Sequence, residues 1–338
     1  MQDAMRTLSI VIPVYNEQES LALFLDAARP AVNEALALIG PGARAEYLFV
    51  DDGSSDRTAD MLSILARLNP DVRAIGLSRN FGKEAALAAG IDHARGDAVI
   101  PIDVDLQDPP AVIVEMVRQW LAGAQVVNAR RADRSSDGWF KRWSARGFYR
   151  VLNSVSDYPI PENVGDFRLL DRKAVDVVKQ LGEAARFNKG LFSWIGFRVA
   201  TVDYVRAPRE AGTTKWRLGK LWGLAVDGIT ASTTMPLRIW SYIGGGIALL
   251  AFAYAAFLVL HTLITGVDMP GYASIMVAVL GLGGLNLLSL GIIGEYLGRV
   301  AREVRQRPLY VISGEEGAVL ADSVEGDEVR WIDQPMRA

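Results

Sequence analysis

Two pairs of aspartates follow short apolar runs of the sequence, and their spacing suits a cation site. Asp51 and Asp52 follow one run, and Asp103 and Asp105 follow the other. Ligands of an open α/β sheet lie beyond the carboxyl ends of its strands, where gathered carboxylates repel each other unless a cation lies between them. Asp103 and Asp105 are two residues apart, so an extended backbone directs both to one side. Such pairs suit Mg²⁺ or Mn²⁺, which bridge to substrate phosphates, so the sequence indicates a phosphate-linked substrate.

The turns around these aspartates carry further groups that could contact a ligand. Tyr15 could stack on a nucleobase and Glu17 could accept hydrogen bonds from it, because a strand-to-helix turn presents such groups at the sheet edge. A plain helix start with Asn16 as its N-cap explains the same residues without a ligand, and the sequence leaves both interpretations open. Gly53 permits a tight turn that brings backbone N–H groups close to a ligand, and we expect Asp52 to contact that ligand.

Basic residues offer partners for anions in two places. Arg79 and Lys83 follow the third apolar run, where they could neutralise phosphate or remain solvated surface charges. A second, scattered set could receive an anionic lipid headgroup, and a solvated helix face is the alternative for each of its members. That set consists of Arg130, Arg131, Lys141, Arg142 and Arg146.

The elements that must position these residues alternate between short apolar runs and helical stretches from residue 8 to about residue 205. This alternation predicts βαβ units and a mostly parallel sheet. The predicted strands are residues 9–14, 47–50, 74–77, 98–102, 125–130, 166–170 and 198–205, and the predicted helices are residues 17–38, 57–68, 82–94 and 139–152, with one more after Asp171. Pro101 lacks a ladder donor, so we expect a bulge or the strand end there.

Apolar residues concentrate between about residues 237 and 297 of the 338-residue chain, whose composition is 50% hydrophobic. Residues 240–264 and 272–293 are each long enough to cross a bilayer, and two buried core helices are the alternative. Arg238 precedes the first segment and four arginines follow the second, whereas the connector over residues 265–271 has no Lys or Arg. The positive-inside rule therefore places both outer flanks in the cytoplasm and the connector outside. Residues 215–229 predict an amphipathic helix in the membrane interface, or else an ordinary helix packed on the soluble domain. Glycines within both segments allow close helix packing and predict a homo-oligomer, with a tetramer as one option.

Composition excludes several classes of function. A net charge of −3 without an extended basic face predicts no nucleic-acid partner. The absence of cysteine excludes disulfides, thiolate nucleophiles and sulfur-ligated metals. The first residues are too short and polar a stretch for a signal peptide, so we expect the N-terminal part in the cytosol.

Taken in order, the motifs of this chain resemble the family-2 inverting glycosyltransferases that act on polyprenyl phosphates, a group that includes dolichyl-phosphate mannose synthases. The resemblance runs from about residue 8 to residue 312. It rests on residues 11–17, 50–54, 79–83, 103–110, 165–172, 214–217 and 294–299. Residues 163–168 look most like the bactoprenol glucosyltransferase branch. Val104 stands where the family usually has alanine, and its side chain should point away from the metal.

The resemblance implies a Rossmann-like GT-A catalytic domain of α/β class with a mostly parallel sheet, followed by an amphipathic interface helix and two transmembrane helices. The implied boundaries are residues 1–210, 211–235 and 236–298, with a cytosolic tail over residues 299–338. The implied catalytic residues are Asp166 and Asp105, and the implied ligands of Mg²⁺ or Mn²⁺ are Asp103, Asp105 and Gln107. The implied nucleotide-sugar site contains Pro13, Tyr15, Glu17, Asp52, Gly53, Ser54, Lys83, Asp103, Gln107, Lys215 and Arg217. The implied lipid-phosphate site contains Arg130, Lys141, Arg142 and Ser144.

The implied reaction is the inverting transfer of a hexose, with glucose as first candidate, from a UDP-sugar to undecaprenyl phosphate. It would occur on the cytosolic face of the bacterial inner membrane, in a multi-pass protein. The acceptor phosphate is largely dianionic at neutral pH and needs no strong base. We therefore expect Asp166 to orient a substrate or to stabilise positive charge at the anomeric carbon, and a pairing with Arg168 is the alternative. One alternative is the same reaction with mannose or 4-amino-4-deoxy-arabinose as the donor sugar. The other is a non-catalytic membrane scaffold or flipping subunit that retains a nucleotide fold.

Overall fold

The computed structural model describes residues 6–132, 164–181, 192, 194–205 and 271–317, with scattered helical positions between residues 242 and 264. In chain order the elements are β1 (Thr7–Val14), α1 (Leu21–Ile39), β2 (Arg44–Asp51), α2 (Thr58–Leu68), β3 (Val72–Leu77), α3 (Lys83–His93), β4 (Ala98–Pro101), α4 (Val112–Leu121), β5 (Val126–Arg131), β6 (Val164–Asp171), α5 (Arg172–Gln180), β7 (Val199–Tyr204), α6 (Tyr272–Val304) and β8 (Ile312–Glu316). The chain divides into a first unit, Met1–Arg118 with Tyr310–Ala338, and a second unit, Gln119–Leu309.

In the first unit, four parallel strands lie in the order β4-β1-β2-β3, and β8 is antiparallel to β3 at one edge. β1 and β2 are almost entirely buried, as expected for continuous apolar runs in a parallel sheet. The carboxyl ends of β1, β2, β3 and β4 therefore meet along one edge, which we call the carboxyl edge. The predicted α/β class and mostly parallel sheet are confirmed.

Helix α3 packs closely on this sheet because it is rich in small residues. Seven consecutive residues of the helix, from Ala85 to Ile91, are buried. A Cβ added to Gly90 would lie 2.2 Å from Val11 Cγ1, so only glycine fits at this contact. The tight packing fixes the start of α3, at Lys83, relative to the carboxyl edge.

Two details of the first unit bear on the sequence predictions. β4 ends at Pro101, as expected for a residue without an N–H, and Ile102 N donates to Val11 O. Asn16 is not a helix N-cap, because α1 begins only at Leu21, four residues beyond Glu17, which the sequence had placed at the helix start. Asn16 instead adopts a left-handed conformation with φ of 55°. The turn after β1 is therefore longer than the sequence predicted.

In the second unit, β5 pairs with β6 antiparallel and with β7 parallel. The register between β5 and β6 shifts, with Asn128 opposite Arg168 and Arg130 opposite Val164. Three residues of β6, 165–167, therefore face Ala129 alone in a bulge. α5 follows β6 directly, and the Asp171 side chain caps it by accepting from Lys173 N.

Helix α4 and strand β8 were not predicted from the sequence. In the part of the chain that the structure describes, no helix combines the length and the apolarity needed to cross a membrane. The predicted helix over residues 139–152, the predicted interface helix and much of the first predicted span lie outside the described residues.

Candidate functional site

The turns after β1 and β2 hold each other through side-chain hydrogen bonds. Asn16 Oδ1 accepts from Ser55 N at 2.8 Å, and Asn16 N donates to Ser54 Oγ at 2.9 Å. Ser54 in turn donates to the Asp51 carboxylate from its hydroxyl and, at 3.0 Å, from its backbone N–H. Asp51 is only 5% exposed, and its two hydrogen bonds with Ser54 fix the turn around that predicted ligand residue.

Asp52 is buried at the carboxyl edge with a side chain that holds the loop after β3. Its Oδ1 accepts from Phe81 N at 2.7 Å and its Oδ2 accepts from Gly82 N at 2.9 Å. Burial raises the pKa of the Asp52 carboxyl, and the two backbone N–H donors oppose that rise. Each carboxylate oxygen has a second lone-pair direction, so Asp52 can support the loop and accept from a ligand.

Gly53 makes the contact between these turns possible. It has φ of 66°, and a Cβ at this position would lie 2.4 Å from the carbonyl carbon of Arg79. The Arg79 guanidinium stacks 3.9 Å from the centre of the Phe81 ring. The backbone of Arg79 and Asn80 therefore lies directly against Gly53. The sequence singled out residues 79–83 for the charges of Arg79 and Lys83, whereas the structure shows that the backbone N–H groups of Phe81 and Gly82 organise the site.

The predicted nucleoside-binding residues after β1 differ in exposure. The Tyr15 side chain is 46% exposed at the carboxyl edge, which leaves a face accessible for stacking. Glu17 is half-buried, and its Oε2 accepts from Ser20 Oγ at 2.8 Å. Pro13 is half-buried and lies near the end of the β1–β2 ladder, opposite Val50.

The second aspartate pair lies beyond the end of β4. Asp103 and Asp105 are half-buried and Val104 between them is 5% exposed, with residues 104–105 in a turn rather than in the extended segment that the sequence predicted. Lys83 Nζ lies 2.7 Å from Asp103 Oδ1 and 2.8 Å from Oδ2. Gln107 N donates to Asp105 Oδ1 at 3.2 Å, and the intervening Leu106 has φ of 54°. Lys83 and Asp103, two of the predicted nucleotide-sugar residues, are thus paired at this edge, and the predicted metal ligand Asp105 follows two residues later in the chain.

The Asp103–Asp105 pair fits a divalent cation shared with a substrate. Among the described residues no group of three or more His, Asp or Glu side chains is placed to hold a metal ion. Mg²⁺ needs fewer protein ligands than that, because it keeps several waters and binds through one or two carboxylates and substrate phosphates. The Lys83 ammonium against both oxygens of Asp103 shows that this carboxylate already accepts a positive charge.

Asp166 lies in the second unit, in the bulge of β6. Bulges frequently re-aim a side chain beside an active site. Its neighbour Arg168 is buried, with Nη2 donating to Gly165 O at 2.6 Å and the guanidinium 4.2 Å from the centre of the Phe192 ring. These contacts hold the backbone on both sides of Asp166.

Arg130, predicted to bind lipid phosphate, makes a two-point ion pair in the second unit. Its Nε and Nη2 donate to the two carboxylate oxygens of Asp203 at 2.6 and 2.9 Å, and both side chains are half exposed. The sequence gave no signal for this pair, because β5 and β7 are separated by more than 60 residues along the chain. The other predicted phosphate-binding residues, Lys141, Arg142, Ser144, Lys215 and Arg217, lie outside the described residues.

Comparison with known proteins decides the family. The model of the glycosyl transferase family 2 matches residues 9–178, which include both aspartate pairs and Asp166. The chain belongs to glycosyl transferase family 2. This family-2 protein is therefore a glycosyltransferase, and the expected resemblance is confirmed.

Relatives of this family-2 chain match over most of their lengths. An uncharacterized glycosyltransferase of Synechocystis sp. is 50% identical over 310 residues, covering 90% of this chain and 94% of that protein. A prophage-derived bactoprenol glucosyl transferase of Shigella flexneri is 47% identical over 305 residues, covering 90% and 97%. An uncharacterized glycosyltransferase of Bacillus subtilis is 41% identical over 309 residues, covering 91% and 94%.

Proposed function

We propose that this family-2 glycosyltransferase transfers a hexose from a UDP-sugar to a polyprenyl phosphate with inversion at the anomeric carbon. The observation that carries the proposal is the half-buried Asp103–Asp105 pair at the same carboxyl edge as Tyr15 and Asp52. That edge combines a stacking surface for a base with carboxylates for a cation on the diphosphate. The 47% identical relative named a bactoprenol glucosyl transferase supports a polyprenyl phosphate acceptor and makes glucose the first candidate sugar.

The nucleoside of the donor would lie against the turns after β1 and β2. Tyr15 stacks on the uracil, while Glu17 and Asp52 accept hydrogen bonds from the nucleoside. Pro13, Gly53 and Ser54 shape the floor of this site, because Gly53 lets the loop after β3 approach and Ser54 holds the turn. The exposed Tyr15 ring and the rigidly held Asp52 support this arrangement.

The diphosphate of the donor would lie beside Asp103, Asp105 and Gln107, which would hold Mg²⁺ or Mn²⁺. When bound, the cation offsets charge on the leaving diphosphate as a Lewis acid. Lys83 turns from Asp103 toward the phosphate oxygens, since its half-exposed chain is long enough to serve either partner. Lys215 and Arg217 would close over the diphosphate from the membrane side.

The acceptor requires orientation more than activation. A phosphate monoester has a second pKa of about 6, so its oxygen is already nucleophilic at neutral pH. Asp166 would therefore orient the acceptor or sugar, or stabilise positive charge that grows at the anomeric carbon. Arg130, Lys141, Arg142 and Ser144 would bind the lipid phosphate. Arg130 would have to exchange Asp203 for the phosphate, and guanidinium groups form two-point pairs with both kinds of anion.

Membrane attachment would follow from the apolar segments over residues 240–264 and 272–293, preceded by the amphipathic helix over residues 211–235. Large apolar side chains along α6 are exposed in the chain taken alone, which supports a lipid or subunit environment for them. They include Ile275, Val279, Leu282, Leu287, Leu290 and Ile293. Flanking arginines would place the catalytic domain and the tail on the cytosolic side of the bacterial inner membrane. Glycines of these segments would permit a homo-oligomer.

The experiment that tests the proposal measures sugar transfer into lipid. Purified full-length protein receives undecaprenyl phosphate, Mn²⁺ or Mg²⁺ and radiolabelled UDP-glucose, with GDP-mannose and UDP-4-amino-4-deoxy-arabinose in parallel. We expect label from UDP-glucose in the organic phase, and its loss in Asp105→Ala. Asp26→Ala, which removes an exposed carboxylate of α1, is the matched control and should keep full activity. Activity with another donor would change the sugar, and no transfer from any donor would refute the proposal.

A further inference from the structure

Strand β8 brings the chain back to the first unit after α6, along the edge of β3. The ladder runs from Glu316 opposite Ala74 to Ile312 opposite Leu77. It ends with Ser78 N donating to Val311 O at 2.8 Å. The next residue of the chain, Arg79, opens the loop over residues 79–82. β8 therefore pairs with β3 up to the residue at which the donor-site loop begins.

Specific contacts hold both ends of β8. Tyr310 OH donates to Asp92 Oδ2 at 2.9 Å, and Ser313 Oγ donates to Gly76 O at 3.0 Å. At the far end Gly317 has φ of 109°, and a Cβ there would lie 2.5 Å from Val72 O. β8 thus has specific contacts along its whole length, which an incidental edge pairing would not need.

A buried charge network joins β8 to the interior of the sheet. The Arg73 side chain on β3 is 4% exposed, and its guanidinium donates to Glu46 on β2 and to Glu315 on β8. Glu46 is also buried, and it accepts from Ser9 Oγ and, at 3.0 Å, from Arg95 N. Burial alone would lower the pKa of Arg73, but Glu315 and Glu46 hold it above its ordinary value. A charge this deeply buried requires its partners, so Glu315 ties β8 to β3.

The loop that begins opposite the start of β8 supports both proposed donor contacts. The N–H groups of Phe81 and Gly82 bind the Asp52 carboxylate, and Gly53 leaves no room between the loop and the β2 turn. Lys83, the next residue, pairs with Asp103. Any shift at Ser78 would be passed to these groups through only four loop residues.

We infer that β8 is a positioning strand for the donor site: Glu315 anchors it to Arg73 near the start of β3, the Val311 carbonyl holds Ser78 at the end of β3, and together they keep residues 79–82 on Asp52. Nucleotide affinity therefore depends on a strand that follows the proposed membrane segments in sequence. The nucleotide ligand rests on the proposed function, whereas the hold on the loop does not. Glu315 contacts no substrate and acts through Arg73 and the backbone.

The test compares Glu315→Arg with Glu316→Arg in the full-length protein. Both substitutions reverse a charge in β8, but only the first places a cation against Arg73 and Arg95. For Glu315→Arg we expect the Kd for UDP to rise about tenfold, a coupling of ordinary size between linked sites. Hydrogen exchange at the amides of Phe81 and Gly82 should accelerate. The KM for the donor should rise with little change in kcat. Glu316→Arg should match the parent protein, and Glu315→Gln, which keeps a hydrogen-bond acceptor, should lie between.

A second variant, a chain that ends after Leu309, removes β8 altogether. It covers the case in which Glu315→Arg leaves the strand in place. Faster exchange of the loop amides together with weaker UDP binding in either variant supports the inference. Unchanged loop exchange in both variants overturns it, as does an unchanged Kd for UDP in a folded truncated chain. A parent protein that binds no UDP refutes the proposed function instead, and loop exchange then still decides the role of β8.

Discussion

The two aspartate pairs of the first unit have the same residue types and lie at the same edge of one sheet, yet they have different roles. Asp51 and Asp52 are 5% and 3% exposed and accept hydrogen bonds from Ser54, Phe81 and Gly82. Asp103 and Asp105 are half-buried; Asp103 pairs with the flexible side chain of Lys83, and Asp105 accepts a hydrogen bond from Gln107 N. The first pair builds the edge of the site, where Asp52 is also proposed to accept from the nucleoside, and the second pair is left accessible for a cation.

The difference follows from what backbone donors can and cannot do. A backbone N–H in a tightly packed loop keeps its position. A carboxylate that binds two such groups is therefore fixed in place and becomes a structural part of the site. A lysine ammonium is a flexible point charge that can be exchanged for another cation at small cost. Burial and the type of donor therefore separate a structural carboxylate from one available for chemistry, where residue type alone does not.

The largest effect should come from removing charge at the accessible pair. Asp105→Asn keeps the shape of the side chain but removes the charge that a divalent cation requires. We expect sugar transfer to fall at least about 10²–10³-fold, the range for loss of one transition-state electrostatic contact. The melting temperature should be unchanged, because Asp105 is partly solvated. Steady-state transfer and thermal unfolding measure the two quantities. Retained activity would show that the pair is not used as proposed.

The opposite pattern should hold at Asp52, where stability changes most. Asp52→Ala orphans the N–H groups of Phe81 and Gly82, and each lost bond to a buried charged acceptor costs about 1–3 kcal/mol. We expect the free energy of unfolding to fall by about 2–4 kcal/mol. Asp103→Ala at the accessible pair is the matched control and should cost far less in stability. Equal losses in denaturant unfolding at both positions would break the comparison.

Lys83 gives a sharper test, because two ligands should respond to its removal with opposite signs. Lys83→Met removes the cation that pairs with Asp103, so Mn²⁺ should bind the nucleotide-free protein about two- to fivefold more tightly, as expected for an exposed pair. UDP should bind more weakly, since the proposed phosphate contact is lost. Electron paramagnetic resonance of free Mn²⁺ and calorimetry of UDP report the two affinities. Lys173→Met, an exposed lysine of α5, should change neither. If Mn²⁺ affinity does not rise, Lys83 and the cation do not compete for Asp103.

The sequence identified both aspartate pairs by residue type and spacing, but not the contacts that distinguish one pair from the other. Spacing predicted that Asp103 and Asp105 share one side of an extended segment, whereas β4 ends at Pro101 and residues 104–105 form a turn. It could not predict that Asp52 binds the amides of Phe81 and Gly82, since that contact depends on how β2 and β3 lie side by side. It also missed β8, whose glycine and two glutamates do not favour a strand, and which forms because β3 offers an open edge. Contacts distant in sequence were the ones that could not be predicted.

The smallest effect should come from a carboxylate that is paired but not buried, Asp203 in the second unit. Its hydrogen bonds with Arg130 lower the pKa of the Asp203 carboxyl. A carboxyl whose pKa is lowered by folding contributes stability above its unfolded pKa, about 3.9, and loses it as the pH falls through the folded value. Asp203→Asn should therefore lower the melting temperature at pH 7 by less than about 2 °C, and the difference should vanish in acid or in high salt.

Thermal unfolding of both proteins between pH 7 and pH 3 measures this difference directly. A loss of several degrees at neutral pH that persists in acid would mean that Asp203 stabilises the fold by packing rather than by charge. Burial would then no longer separate the structural carboxylates from the accessible ones. A loss that is small and disappears on acidification would place Asp203 with Asp103, because in both a half-exposed carboxylate is held by a side-chain cation that solvent can screen. It would also leave Arg130 able to exchange Asp203 for a lipid phosphate at little cost.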